Sequence, residues 1–335
     1  MTSETVLEVN DLKVHFGIGR QGFGRSGGPV IKAVDGVTFS IGKGETLGLV
    51  GESGSGKTTV GRAILRAVPL TGGDVRLTVD GKATDVVALK KQDLKQFRRH
   101  MQLIFQDPYS SLNPRMTVRD IIAEPLECQD YGTRVEIDER VREVAGQCKL
   151  NVEHLRRFPH AFSGGQRQRI CIARALVASP KFIVCDESVS ALDVSIQAEI
   201  LNLLMDLQEE LGLTYLFIAH DLSVVAQISA RVAVMYVGRL VEFAPTERLF
   251  ASPMHPYTKA LLSAIPVVDP DNEFDPIRLE GEIPNPANLP SGCRFHTRCP
   301  FAAEKCRQEE PDWRPVDSGH MVACHFAEQL RQEAG

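Results

Sequence analysis

Gly51-Glu52-Ser53-Gly54-Ser55-Gly56-Lys57-Thr58-Thr59 is the stretch that decides the fold of this chain. The apolar run Thr46–Val50 precedes it, and Val60, Ile64 and Ala67 follow at helical spacing. A strand, a glycine-rich loop and a helix in that order are the setting of a phosphate-binding loop. The residues match G-x-x-x-x-G-K-[ST] at each fixed position. Gly51, Gly54 and Gly56 permit backbone dihedrals closed to other residues and bring N–H groups close to phosphate oxygens. Ser53, Ser55 and Thr59 belong to the same cradle, and the helix N-terminus adds partial positive charge. Lys57 supplies a full charge at the β- and γ-phosphates, and the Thr58 hydroxyl suits Mg²⁺. The stretch predicts a bound nucleoside triphosphate.

The chain has 335 residues, enough for one large domain with an appendage or for two domains. Its 43% hydrophobic and 24% charged content is ordinary for a globular protein. A net charge of −5 gives no support for nucleic acid as the main partner. No apolar run approaches the roughly 18 residues of a membrane span. The acidic N-terminus lacks the basic and apolar regions of a signal peptide, so a cytosolic protein with reduced cysteines is expected.

Val6–Phe16 reads as a strand near a sheet edge, and residues 17–30 as a glycine-rich hairpin connection. A strand at Ile31–Ile41 leads into the phosphate loop. Gly73–Val87 reads as a strand pair turned at Asp80-Gly81, and Lys90–Arg99 as a basic helix with a solvated face. Met101–Gln106 is an apolar strand, followed by a turn-rich segment to Arg115. Helical patterns run from Val118 to about Phe158 and from Ser163 to Val177. A buried strand (Phe182–Cys185), an amphipathic helix (Ile196–Leu211), a strand (Thr214–Ala219), a short helix and a hairpin (Val232–Phe243) follow. Alternating strands and helices with a helical block between predict an α/β sheet with a helical lobe at about 107–165. Beyond residue 250 prolines become dense and cysteines cluster, as in a separate C-terminal appendage spanning 251–335.

Mg²⁺ needs a second acid, usually where a buried strand ends. Phe182-Ile183-Val184-Cys185-Asp186-Glu187 offers two carboxylates after four apolar residues. Asp186 suits metal coordination through water, and Glu187 suits orienting or deprotonating an attacking water. Cys185 reads as a small buried hydrophobe.

Between loop and acid pair lies Phe162-Ser163-Gly164-Gly165-Gln166-Arg167-Gln168-Arg169. With this run the chain resembles the nucleotide-binding subunits of ABC transporters over residues 5–250. The resemblance implies a P-loop NTPase fold: a RecA-like core, an antiparallel β-subdomain and an inserted helical subdomain. It assigns Gln106 as a Mg²⁺ and water ligand that also senses a transmembrane subunit. Asp193 falls in the loop Ser190–Asp193, His220 contacts the γ-phosphate, and Phe16 stacks on adenine. Ser163 can cap the helix behind it, and Gly164 and Gly165 clear side chains from its mouth, making a second anion site. In the family that site meets ATP bound to a partner subunit, so the chain is expected to dimerise. One departure is Ser188, where the family usually has proline.

The stretch Ser252–Leu262 and the prolines through Pro290 resemble the C-terminal extension of oligopeptide and dipeptide importer ATPases. Within it Cys293, Cys299, Cys306 and Cys324 are spaced C-x5-C-x6-C-x17-C, four of the eight cysteines. Cys128, Cys148 and Cys171 lie scattered in helices. Four thiols in a poorly cored segment read as a metal staple. Zinc sites usually pair cysteines about two to four residues apart, which is not seen here. A [4Fe–4S] cluster also suits four cysteines, and Cys299-Pro300 is similar to ferredoxin runs. The dipeptide-type importer ATPases carry such a cluster, so the resemblance implies [4Fe–4S], with zinc or unliganded thiols as the alternatives. Far in sequence from the ATP residues, it is expected to be structural.

The function so implied is ATP hydrolysis energising a di- or oligopeptide importer at the cytoplasmic face of an inner membrane. Implied partners are a second ATPase subunit (the same chain or a different one), two permeases and a solute-binding protein. Importers of nickel, oligosaccharides or opines are the alternative. A soluble ABC ATPase acting on nucleic acid or ribosomes is the rival. Such proteins usually carry two cassettes or a coiled-coil insertion, which this sequence lacks.

Overall fold

The computed structural model describes residues 4–17, 30–265 and 276–332. Apart from its two ends, the glycine-rich connection lies outside them. The first described elements are β1 (Thr5–Gly17), β2 (Val30–Gly42), β3 (Thr46–Val50), α1 (Lys57–Ile64), β4 (Gly72–Val79) and β5 (Lys82–Asp85). Next come α2 (Lys91–Phe97), β6 (Met101–Ile104), α3 (Val118–Glu127), α4 (Arg134–Gln147), α5 (Gly164–Leu176), β7 (Phe182–Asp186) and α6 (Val194–Leu211). Then follow β8 (Thr214–Ile218), α7 (Leu222–Ile228), β9 (Arg231–Tyr236), β10 (Arg239–Pro245), α8 (Thr246–Ala251) and α9 (Pro256–Ser263). The chain closes with α10 (Glu304–Gln308), β11 (Arg314–Asp317), β12 (His320–Val322) and α11 (Ala327–Gln332). The expected α/β architecture with an antiparallel sheet is the one formed. Two compact units divide it: residues 1–8, 40–46 and 76–218, and residues 9–39, 47–75 and 219–335.

The first unit is built on parallel strands in the order β8-β7-β6. Phe182 of β7 pairs with Met101 on one side and Thr214 on the other. All five residues of β7 are buried, as a central parallel strand covered on both faces requires. Helix α5 packs on β6 and against α3, α4 and α6. The helix starts follow local chemistry. Thr117, Thr133, Ser163 and Asp193 each accept a backbone N–H from the residue three ahead. Glu136 and Gln166 reach back to complete capping boxes. The β4–β5 hairpin turns at Asp80 and Gly81, both with positive φ, as a two-residue type I′ turn demands.

The second unit holds strands in the order β11-β12-β10-β9-β3. β3 runs parallel to β9, with Leu47 opposite Arg231. Antiparallel β9 and β10 turn at Val237-Gly238. In α1, Val60 and Ile64 are buried, whereas Ala67 lies past the helix end and is exposed. The tail extends this sheet: β12 pairs with β10, Glu242 opposite Val322, and β11 pairs with β12. A short, proline-rich segment cannot bury enough apolar surface alone, and adding strands to an existing sheet edge solves that.

Candidate active site

The second unit carries the phosphate loop. Gly51 has φ 151° and Gly56 φ 107°, and a Cβ on either would lie 2.2 Å from a backbone carbonyl oxygen, of Met235 and Ala33 respectively. Glycine is therefore required at both positions by sterics as well as by dihedral. Gly54, with φ 80°, faces open space, so only its dihedral selects glycine. Gly56 is the N-cap of α1. The Lys57 ammonium donates to the carbonyls of Gly51 (2.7 Å) and Glu52 (2.9 Å) and lies 3.4 Å from Ser55 Oγ. Ser53 is exposed, Ser55 buried, and Thr58 and Thr59 half-buried. Phe16, the last residue but one of β1, has 38% of its surface exposed, as a ring available for stacking needs to be. His220 is exposed just after Ala219, whose N–H donates to Leu49 at the end of β3.

The first unit carries the acid pair. Asp186 is buried at the end of β7, and Glu187 follows with φ 46°, a left-handed conformation that costs a branched-free acid roughly 1 kcal/mol. Its neighbours hold it. Its N–H donates to Ile218, its carbonyl accepts from Ser190 Oγ at 2.9 Å, and Gln106 Nε2 donates to Glu187 Oε2 at 2.6 Å. Gln106 and Glu187, 81 residues apart, are thus brought together. Ser188 is buried, and its Oγ has no hydrogen-bond partner among the described residues.

Ser163 and Gln166 exchange side-chain and backbone hydrogen bonds at the mouth of α5. The loop after Gln106 rests on that helix. Arg167 stacks over the Tyr109 ring at 4.3 Å, and Arg174 donates to the Ser111 carbonyl at 2.7 Å. Phe105 and Tyr109 remain exposed. The two glycines differ in what they do. A Cβ on Gly165 would lie 2.6 Å from Ile196 Cγ2, so it sets the approach of α5 to α6, where Asp193 is the N-cap. On Gly164 the nearest atom is Tyr109 Oη at 3.5 Å, an ordinary contact. Gly165→Ala is therefore expected to lose about 1 kcal/mol of stability, overpacking outweighing helix propensity. Gly164→Ala should be neutral. Urea midpoints of the two variants test this, and equal midpoints would show that Ile196 simply moves aside.

Eight free cysteines are present. Cys148, Cys171 and Cys185 are buried in the first unit and Cys128 is exposed there. Cys293, Cys299, Cys306 and Cys324 line one cavity of about 20 Å³ in the second unit, with Phe295, His325 and Phe326. Burial, reinforced by the neighbouring thiols, pushes Cys293 up to about 12 and Cys299 up to about 11. The side chains do not stand as a ready ligand cage. Among the described residues no group of three or more His, Cys, Asp or Glu is placed to hold a metal ion.

Sequence reasoning missed a set of residues beside the phosphate loop. The Glu52 N–H donates to Tyr257 Oη at 2.8 Å. The Glu52 carboxylate accepts two bonds from Arg298, from Nη1 at 2.6 Å and Nη2 at 3.0 Å. Arg298 immediately precedes Cys299, so the tail is far from the loop in sequence and adjacent in space. A lone arginine and a lone tyrosine carry no periodicity, and no signal in the sequence could have found them.

The phosphate loop, the capped glycine helix and the carboxylates after a buried strand define an ATP-binding cassette. A model described as ABC transporter matches residues 34–190, and one described as the C-terminal region of oligopeptide/dipeptide transporters matches 241–306. A probable peptide ABC transporter ATP-binding protein of Sinorhizobium fredii is 50% identical, over 96% of this chain and 90% of its own length. The oligopeptide transport ATP-binding protein AppF of Bacillus subtilis is 50% identical, over 96% of this chain and 98% of its own. Among solved structures, the dimeric ATP-binding cassette MJ0796 bound to ADP and Pi matches with a TM-score of 0.61 and 28% identity. It covers 72% of this chain and 98% of that one. The chain belongs to the ATP-binding proteins of the oligopeptide/dipeptide ABC transporter family. Among its described residues no helix is long and apolar enough to cross a membrane.

Proposed function

We propose that this chain is the ATP-hydrolysing subunit that drives import of di- or oligopeptides. Its near-complete match to peptide-import ATP-binding proteins at about half identity carries this reading. ATP is held by Gly51, Ser53, Gly54, Ser55, Gly56, Lys57, Thr58 and Thr59, with Phe16 on the adenine. Thr58, Gln106 and Asp186 offer the oxygen donors that Mg²⁺ takes, and Mg²⁺ would neutralise phosphate charge there. Glu187 orients and deprotonates the attacking water, and His220 contacts the γ-phosphate. Ser163, Gly164, Gly165 and Gln166, with Asp193, face the nucleotide of a second ATPase subunit, which closes when ATP binds. The loop carrying Gln106 is pinned to α5 by Arg167 and Arg174, so a movement of the helix reaches exposed Phe105 and Tyr109. Those two rings meet one of two permeases at the cytoplasmic face of the inner membrane. The domain boundary falls near residue 250, with a helical subdomain at about 107–165. Co-purification from the native membrane, identifying the permeases and the solute-binding protein and then what that protein captures, tests the cargo. Capture of nickel, an oligosaccharide or an opine in place of peptides would replace it.

We further infer that the tail binds one [4Fe–4S] cluster through Cys293, Cys299, Cys306 and Cys324. Four cysteines line one cavity, the donor type and number such a cluster takes, and loading would draw their side chains together and release protons. When bound, the cluster would supply four metal–thiolate links to a segment with little core. Protein isolated without oxygen is expected to be brown and to hold about four iron atoms. Cys306→Ser should lose iron and expose residues 290–325 to protease. One zinc per chain and no colour would overturn the assignment.

A further inference from the structure

Resting on the reading of Gly51–Thr59 as the phosphate loop, we propose that Arg298 and Tyr257 are positioning residues of the ATP site. They clamp Glu52 and so hold the loop in its phosphate-binding shape. Glu52 is fixed at three points. Its N–H is bound by Tyr257, its carboxylate by both terminal nitrogens of Arg298, and its carbonyl by the Lys57 ammonium. The clamp therefore governs a group that anchors the phosphate-binding lysine itself. Such a loop needs external restraint, because its positive-φ glycines leave it conformationally free.

The clamp is built to be stiff. The Arg298 side chain is 7% exposed and that of Glu52 28%, so solvent screens the pair far less than it would a surface ion pair. Two parallel bonds fix direction as well as distance. Behind them, Tyr257, Tyr236 and Phe295 pack with ring centroids 4.7 to 5.4 Å apart, and Arg298 lies 6.0 Å above the Tyr236 ring. Without Arg298, the loop would be looser.

The test measures MgATP affinity of the full chain with a fluorescent ATP analogue, and kcat and KM in the assembled transporter. Arg298→Gln, Tyr257→Phe and Glu52→Gln are each expected to raise Kd and KM together, about tenfold for Arg298→Gln, with kcat within about twofold. Arg298→Lys should recover part of the loss. The charge-reversed pair Glu52→Arg with Arg298→Glu should bind better than either single change. Should the Arg298 variants not fold, Glu52→Gln, altering only the loop side, decides. Unchanged Kd and KM in Glu52→Gln or Arg298→Gln, whatever happens to thermal stability, would leave the contact as mere docking of the tail and overturn the proposal. Wild-type protein and Lys57→Ala serve as controls. If wild-type does not bind MgATP, the nucleotide-site reading fails, not the clamp alone.

Discussion

Glu187→Gln is expected to slow ATP turnover by about two to four orders of magnitude while leaving ATP affinity within a few-fold. The substitution preserves the size of the side chain and the contacts of Lys57, which lies in the phosphate loop, so binding should persist. It removes the carboxylate that orients and deprotonates water. The structure adds a reason to expect a clean effect. Glu187 is held in a left-handed conformation by Ile218 and Ser190, and its carboxylate is gripped by Gln106. Strain retained at one acid and fixed by its surroundings is what a group with a set geometry requires. The variant should accumulate as an ATP-bound dimer on size exclusion. Turnover near the wild-type rate would remove Glu187 from the mechanism.

The parts of this molecule that were legible in its sequence are those fixed by local rules. The phosphate loop needs glycines and a lysine at set positions, β7 needs a continuous apolar run, and Ser163 with Gln166 spells a helix start. Asp80-Gly81 gave its turn for the same reason. What escaped was non-local and polar. Arg298 and Glu52 are 246 residues apart, and nothing in either neighbourhood points to the other. Gly165 read as a cleared mouth for an anion, yet its absent side chain also makes room for Ile196, a constraint set by another helix. Ser188, a departure from the family's proline, is buried with an unpartnered hydroxyl among the described residues. An apolar residue there would avoid that desolvation.

The same limit applies to the tail. Its strands complete an existing sheet edge, and Phe295, between two of the cysteines, packs against Tyr236 and Tyr257. From a thiol-lined cavity to the phosphate loop is therefore one arginine or one tyrosine. Sequence distance between the two sets of residues says nothing about their mechanical distance.

Glu242→Ala is expected to be the most destabilising single change in this region, by about 3 kcal/mol or more. Glu242 is fully buried in β10. Its Oε1 accepts from the Met254 N–H at 2.7 Å and lies 2.7 Å from His320 Nε2, and its Oε2 accepts from the His255 N–H at 3.0 Å. Alanine would leave two amide donors and an imidazole without this acceptor away from water. The damage should spread in a defined direction. His255 caps α9, and burial holds its imidazole down at about 4, so its neutral Nδ1 accepts the Tyr257 N–H. Tyr257 in turn binds the Glu52 N–H. Loss of the carboxylate thus loosens β12 on one side and the start of α9 on the other. The variant should show a lower urea midpoint, early protease cleavage between residues 250 and 325, and weaker ATP binding. An unfolding free energy within about 0.5 kcal/mol of wild-type would mean that water reaches these donors and that the buried carboxylate does not secure the tail.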